Sequence, residues 1–219
     1  MLTVFIEDFK TQHMNIDINT YCINLDQRSD RRVWIKEEVK KIGITIEMFS
    51  GIKMDDGWKG CLASHTKLLN QVKGEGVFMI IEDDLLFMEN ALDNINLAIS
   101  QLPDGWSMLY LGATLNQPLE KVSPNLLRIK QGWTTHGIIY NNQNGVVDFI
   151  LDKDPDIRLD IFLSDVVQEQ FNCYMCYPMV ATQKGGWSDV VNRWQPYKII
   201  IDRYKKYVLD YIETENKEV

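Results

Sequence analysis

A chain of 219 residues is long enough for one domain with a substantial core, and 45% hydrophobic with 25% charged residues is an ordinary globular balance. A formal charge of −8 and a pI near 4.9 argue against a nucleic-acid partner, because an acidic surface repels phosphate backbones. No apolar run approaches the roughly 20 residues that span a bilayer. The opening MLTVFIEDFK carries acids directly after its apolar residues, unlike a secretory signal. Cys173 and Cys176 form a lone CxxC with no second pair at zinc-ligand spacing, and Cys22 and Cys61 lie in apolar or helical surroundings. The four read as small buried thiols in a reducing compartment, which makes the chain a soluble cytoplasmic protein without a transmembrane segment.

In chain order, residues 1–19 read as an extension or extra strand before a single domain over 20–219. Residues 21–25 form a short apolar strand. A helix over 29–42 follows, with Ile35, Val39 and Ile42 on one stripe. Residues 44–49 make a second strand. A helix over 59–72 carries Cys61, His65, Leu68 and Val72 along one face and stops at Gly74. Residues 77–81 (VFMII) lack polar alternation, which suits a parallel strand covered on both faces. An amphipathic helix over 90–102 ends before Pro103, and residues 107–111 (SMLYL) are a further buried strand. This alternation predicts an α/β fold with a mostly parallel, right-handed central sheet flanked by helices. In the second half, residues 126–130 and 134–140 read as antiparallel strands. Helices are expected near 146–151, over 160–171 and over 195–213, and the CxxC segment reads as a strand or its approach.

Two turns carry polar groups where ligands bind in open parallel sheets, beyond the carboxyl ends of strands. Glu82-Asp83-Asp84 follows the VFMII strand. Adjacent carboxylates repel, and a divalent cation with oxygen preference relieves that; so does exposure in an acidic turn. Arg28, Arg31 and Arg32 cluster at a helix start, which favours anions over cations. They either pair with Asp26, Asp30, Glu37 and Glu38, or hold a phosphate with the free backbone N–H groups. His65 lies on the apolar stripe of its helix as a core residue or a chemical group, and Ser64 either contacts a ligand or bonds back to the preceding turn. His136, beside Gly137, is a strand histidine or a metal or substrate contact. Gly137 itself permits close approach of a ligand or backbone. Asp160 reads as a helix N-cap or as an acid of the site, with Asp165 beside it. Gly185-Gly186-Trp187-Ser188-Asp189 is a flexible turn with an aromatic platform.

Ile23-Asn24-Leu25-Asp26 with Asp30-Arg31, then Gly60-Cys61 with Ser64-His65, then Ile81-Glu82-Asp83-Asp84 resemble glycosyltransferase family 25 in order and spacing over about residues 20–90. That family holds bacterial lipooligosaccharide galactosyltransferases and collagen-hydroxylysine galactosyltransferases. Thr135-His136-Gly137 with Tyr140, Leu159-Asp160, and Gln183-Lys184 with Ser188-Asp189 resemble its later segments more loosely. The resemblance implies a GT-A-like single domain, a UDP-sugar donor (commonly UDP-galactose), Mn²⁺ or Mg²⁺, and inversion at the anomeric carbon. It implies Glu82 and Asp84 as metal ligands, with His136 a further candidate. Asn24, Leu25, Arg28 and Arg31, with Ser64, His65 and Asp83, would line the donor pocket. Asp160, then Asp165, would accept the proton of a glycan or hydroxylated acceptor, and Trp187, Ser188 and Asp189 would contact that acceptor. Gly137 stands where a larger residue is expected. Two other readings share this pocket: an inactive nucleotide-sugar-binding module, and a metal-dependent phosphohydrolase or nucleotidyltransferase.

Overall fold

A computed structural model describes residues 18–153 and 155–209. The expectations for residues 1–17 and for the end of the last helix, 210–213, lie outside the described residues.

The elements run β1 (Thr20–Asn24), α1 (Ser29–Lys41), β2 (Glu47–Ser50), α2 (Gly57–Val72), β3 (Val77–Glu82), β4 (Leu85–Phe87), α3 (Ala91–Ser100) and β5 (Met108–Tyr110). Then come β6 (Glu120–Ser123), β7 (Leu126–Arg128), β8 (Gly137–Asn141), α4 (Val146–Lys153), α5 (Leu159–Phe162), α6 (Gln168–Gln170) and β9 (Cys173–Cys176). β10 (Ala181–Gln183), β11 (Gly186–Ser188), β12 (Arg193–Gln195) and α7 (Lys198–Tyr204) complete the chain order. Eight strands form one twisted sheet in the order β2-β1-β3-β8-β5-β9-β7-β6, and the pairs β10-β4 and β11-β12 stand apart from it.

The absence of polar alternation in β3 has a direct cause. Phe78 and Ile80 face a core with Leu68, Leu69 and Val72 of α2 and Val146 and Ile150 of α4. Met79 and Ile81 face a second core with Ile35 and Val39 of α1 and Ile95 and Ala98 of α3. All four β3 side chains are fully buried, each contributing about 1.5–3 kcal/mol by its removal from water. The helix stripes expected at Ile35 and Val39, and at Leu68 and Val72, are those that cover the sheet.

Several expectations are corrected. β3 and β5 are not neighbours: β8 lies between them, antiparallel to both, with Ile80 opposite Ile138 and Leu109 opposite Ile139. β8 (GIIYN) is antiparallel as expected for residues 134–140, but it is buried along its whole length, and nothing in that apolar run marks its insertion between two parallel strands. Gly137 serves this insertion, since a Cβ there would lie 2.9 Å from Leu85 Cδ1 and 3.0 Å from Leu111 Cδ1. The helix expected over 160–171 is broken into α5, a π turn (Leu163–Val167) and α6. The last helix begins at Lys198, because Pro196 drives Gln195 into the extended conformation that completes β12. α2 ends at Val72 and runs on through a 3₁₀ turn (Lys73–Glu75), so the stop falls at Gly76 and not Gly74. The CxxC segment is β9, and all four cysteines are free thiols. Among the described residues no helix is long and apolar enough to cross a membrane.

Candidate active site

β1 and β3 are parallel neighbours in register from Thr20 with Met79 to Ile23 with Glu82, so their carboxyl ends deliver Asn24 and Glu82-Asp83-Asp84 side by side. The acids of the triplet divide between two sets of partners. Glu82 accepts from Thr135 Oγ1 (2.6 Å) and meets His65 Nε2 at 3.2 Å. Asp83 accepts from Asn24 Nδ2 (2.7 Å) and Arg31 Nη1 (2.8 Å). Asp84 accepts from the same Arg31 nitrogen (3.1 Å) and from Gln183 Nε2 (3.2 Å).

The electrostatics follow from that arrangement. Burial pushes Glu82 upward, but His65 and the Thr135 hydroxyl more than offset it, and its carboxyl lies below the usual range. Burial raises Asp83 in spite of Arg31. Asp84 is pushed up to about 7, first by burial and then by the Glu82 charge. Asp83 and Asp84 thus share one guanidinium while Glu82 rests on His65 and Thr135, and carboxylate oxygens such as those of Glu82 and Asp84 have the donor chemistry that a hard divalent cation takes.

These groups face a cleft of ≈ 540 Å³ whose walls include Leu25, Arg31, Trp58, Ser64 and Tyr197. A second chamber of ≈ 360 Å³ opens beside it, lined by Trp133, Thr134, Arg158, Asp160, Arg193 and Arg203. Cys61, Glu82, Ser188 and Tyr197 border both, so Glu82 sits where the chambers meet. The β11-β12 hairpin roofs the acidic triplet and is tied down by arginines. Arg28 pairs with Asp189, and Arg31 donates to the Trp187 carbonyl. Gly57 admits this hairpin: a Cβ there would lie 2.1 Å from the Asp189 carbonyl oxygen and 2.7 Å from Val190 Cα.

The expected site residues therefore separate by position. Leu25, Arg31, Ser64, His65, Glu82, Asp83, Asp84, Ser188 and Asp189 line the first cleft, and Asp160 lines the second chamber. Asn24 lines neither. It is buried, holding Asp83, the Arg28 carbonyl (3.1 Å) and Arg32 Nε (2.9 Å), and so positions the triplet. Arg28 is spent on Asp30 and Asp189. Ser64 closes its own helical turn, donating to Gly60 O (2.6 Å) and accepting from Ile52 N (2.7 Å).

His136 is fully buried with Nδ1 3.1 Å from Thr134 Oγ1 and Nε2 3.3 Å from Ala181 O, both nitrogens turned to protein groups. It stands outside the cluster of Cys61, His65 and Glu82, as Asp84 also does, and burial lowers its pKa. Asp165 is exposed on the π turn and lines neither chamber. Asp160 is not an N-cap. Arg158 holds that position, Asp160 lies within the first turn paired with Arg158 (3.1 Å), and burial raises its carboxyl. Trp187 is 48% exposed and lines neither chamber.

Sequence reasoning missed Thr135 as a partner of Glu82, Tyr197 as a wall of both chambers, and the joining of Cys61 to His65 and Glu82. The sulfur, imidazole and carboxylate ligand atoms of that last trio lie within 4.8 Å of one another. The i, i+4 spacing of Cys61 and His65 on one helix face was the available signal.

Residues 52–144 match the model of a family described as glycosyltransferase family 25 (LPS biosynthesis protein). The matched segment holds Ser64, His65, Glu82-Asp83-Asp84 and His136. Asn24, Arg28 and Arg31 precede it, and Asp160 and the β11-β12 hairpin follow it. Among curated proteins nothing matches the chain. Among solved structures, 36 chains match. One is described as the crystal structure of a glycosyltransferase involved in the glycosylation of the major capsid of PBCV-1. It is 7% identical, with a TM-score of 0.49, over 80% of this chain and 96% of that one. The family match supports a glycosyltransferase and the resemblance to family 25.

Proposed function

We propose that the chain is a metal-dependent, inverting glycosyltransferase of GT-A type. It would move a hexose from a UDP-sugar to a hydroxyl of a glycan or hydroxylated acceptor. Galactose is the first choice of sugar, with glucose and N-acetylglucosamine as the alternatives. The observation that carries this reading is the Glu82-Asp83-Asp84 triplet at the head of the first cleft, with Asp83 and Asp84 buried on one guanidinium and Glu82 reaching the point where two chambers meet.

Glu82 and Asp84 would hold Mn²⁺ or Mg²⁺, which neutralises charge on a leaving diphosphate. His136 contributes nothing to that set while its nitrogens face Thr134 and Ala181. Arg31, held by Asp83 and Asp84, presents the one guanidinium on the donor side of the cleft. Ser188 and Asp189 bring the hairpin over that side, leaving the second chamber for the acceptor. Direct displacement with inversion needs one carboxylate to take the acceptor proton. Asp160 supplies it from the second chamber, and its raised pKa moves it toward the proton it must accept. Asp165, on the outer face of its helix, does not.

Calorimetric titration with UDP tests the metal: Mn²⁺ should tighten binding in the wild type and have no effect in Asp84→Ala. Equal affinity with and without metal overturns its role. One observation favours a second reading, a binding module without turnover: Asp160 is ion-paired to Arg158, which weakens it as a base. Release of free sugar from UDP-galactose separates the two.

A further inference from the structure

Cys61, His65 and Glu82 have a chemistry that the proposed donor site does not use. Cys61 and His65 stand one turn apart on α2, and Glu82 closes β3 opposite them. Their ligand atoms, one sulfur, one imidazole nitrogen and one carboxylate oxygen, lie within 4.8 Å of one another. Ligands at about 2.0–2.3 Å around a tetrahedral zinc ion sit about 3.3–3.7 Å apart. His65 Nε2 and Glu82 Oε1 are already 3.2 Å apart, so closing the trio asks for a contraction of at most about 1 Å by the sulfur. The site also has an open side, since Cys61 and Glu82 border both chambers. Cys61 is the one cysteine of the four that is not fully buried, with Cys22, Cys173 and Cys176 at 0% exposure.

We infer that Cys61, His65 and Glu82 form a binding site for a thiophilic divalent cation such as Zn²⁺, distinct from the oxygen-only pair Glu82 and Asp84. A mixed sulfur, nitrogen and oxygen set selects zinc or cobalt over magnesium or manganese. Three protein ligands leave the fourth tetrahedral position to water or to a substrate oxygen. Both sites claim Glu82, so the two cations compete for that carboxylate. On the proposed function, a zinc ion at the junction of donor and acceptor chambers inhibits transfer.

Cobalt reads this site without turnover. Co²⁺ added to the metal-free chain should give a thiolate-to-cobalt charge-transfer band in the near ultraviolet and the intense visible bands of a tetrahedral ion. Zn²⁺ should displace it and Mg²⁺ should not. Cys61→Ser should abolish the charge-transfer band and weaken cobalt binding by more than the roughly 10- to 100-fold that loss of an outer-shell partner costs. Alkylation gives a second measure on the wild type: Zn²⁺ should protect Cys61 from iodoacetamide and Mg²⁺ should not. A missing band, a band that survives in Cys61→Ser, or alkylation indifferent to Zn²⁺ overturns the site. If the band is present while UDP-sugar hydrolysis is absent, the transferase reading fails and the metal site stands.

Discussion

Replacing Asp84 by asparagine should stabilise the metal-free protein at alkaline pH while destroying its response to Mn²⁺. Asp84 is 5% exposed, and its carboxyl is pushed from an ordinary 3.8 to about 7, by burial first and by the neighbouring Glu82 second, net of the attraction to Arg31. In the unfolded chain it ionises near 3.8. Between those values the folded state binds more protons than the unfolded state, so stability falls as pH rises. Below about pH 3 both states are protonated and nothing is lost; above about pH 7 the whole penalty applies, about 4 kcal/mol. Asparagine removes that penalty but weakens the hydrogen bonds from Arg31 and Gln183, which returns about 2 kcal/mol. The net gain of about 2 kcal/mol corresponds to roughly 4–8 °C in Tm for a chain of this size. Thermal unfolding in a chelator at pH 8 measures it, and repeating the scan at pH 4.5, where only about 1 kcal/mol of the penalty remains, should abolish the gain or reverse it. Mn²⁺ should then raise the wild-type Tm and leave the variant unmoved. A variant no more stable than wild type at pH 8, or a gain that persists at pH 4.5, refutes the account of Asp84 as a strained carboxylate awaiting a cation.

Arg31→Met removes the guanidinium that Asp83 and Asp84 share and leaves two buried carboxylates uncompensated. Urea denaturation at pH 7 should show a loss of about 3–5 kcal/mol. Asp160→Asn should lower turnover by about 10²–10⁴ with UDP affinity unchanged, the size of a lost proton acceptor. Asp165→Asn should leave turnover near wild type, and equal effects from the two would remove the distinction drawn from their positions. Gly57→Ala drives a methyl group into the Asp189 backbone. The expected cost is about 1–3 kcal/mol, and faster amide hydrogen exchange should be confined to residues 186–195 and the start of α2.

Much of the first half was legible because local pattern and tertiary role coincide there. VFMII reads as a doubly covered strand since Phe78 and Met79 do face different cores. The stripe on α1 is likewise its packing face. The failures share one cause, which is that partner choice is nonlocal. Nothing in GIIYN says that it pairs between β3 and β5. Nothing in the WTTHG segment says that Thr135 meets Glu82 while His136 turns to Ala181. The acids of the second half show the same limit. Asp160 and Asp165 are neighbours in sequence, but the first turn of α5 carries one into the second chamber and the π turn carries the other to solvent.

The late insertion of β8 also sets a timetable for synthesis. Roughly 50–60 residues separate the register partners Ile81 and Gly137, about 3–12 s of translation at roughly 5–20 residues per second. During that interval β1 can pair with one side of β3, and the other side presents free N–H and C=O groups flanked by Phe78, Met79, Ile80 and Ile81. What becomes the middle of the sheet is for those seconds an open apolar edge, the kind of template that recruits strands from other chains. The yield of folded protein should then depend in part on how soon the ribosome delivers residues 137–141, and slow codons between β3 and β8 become a hazard that the finished fold no longer records.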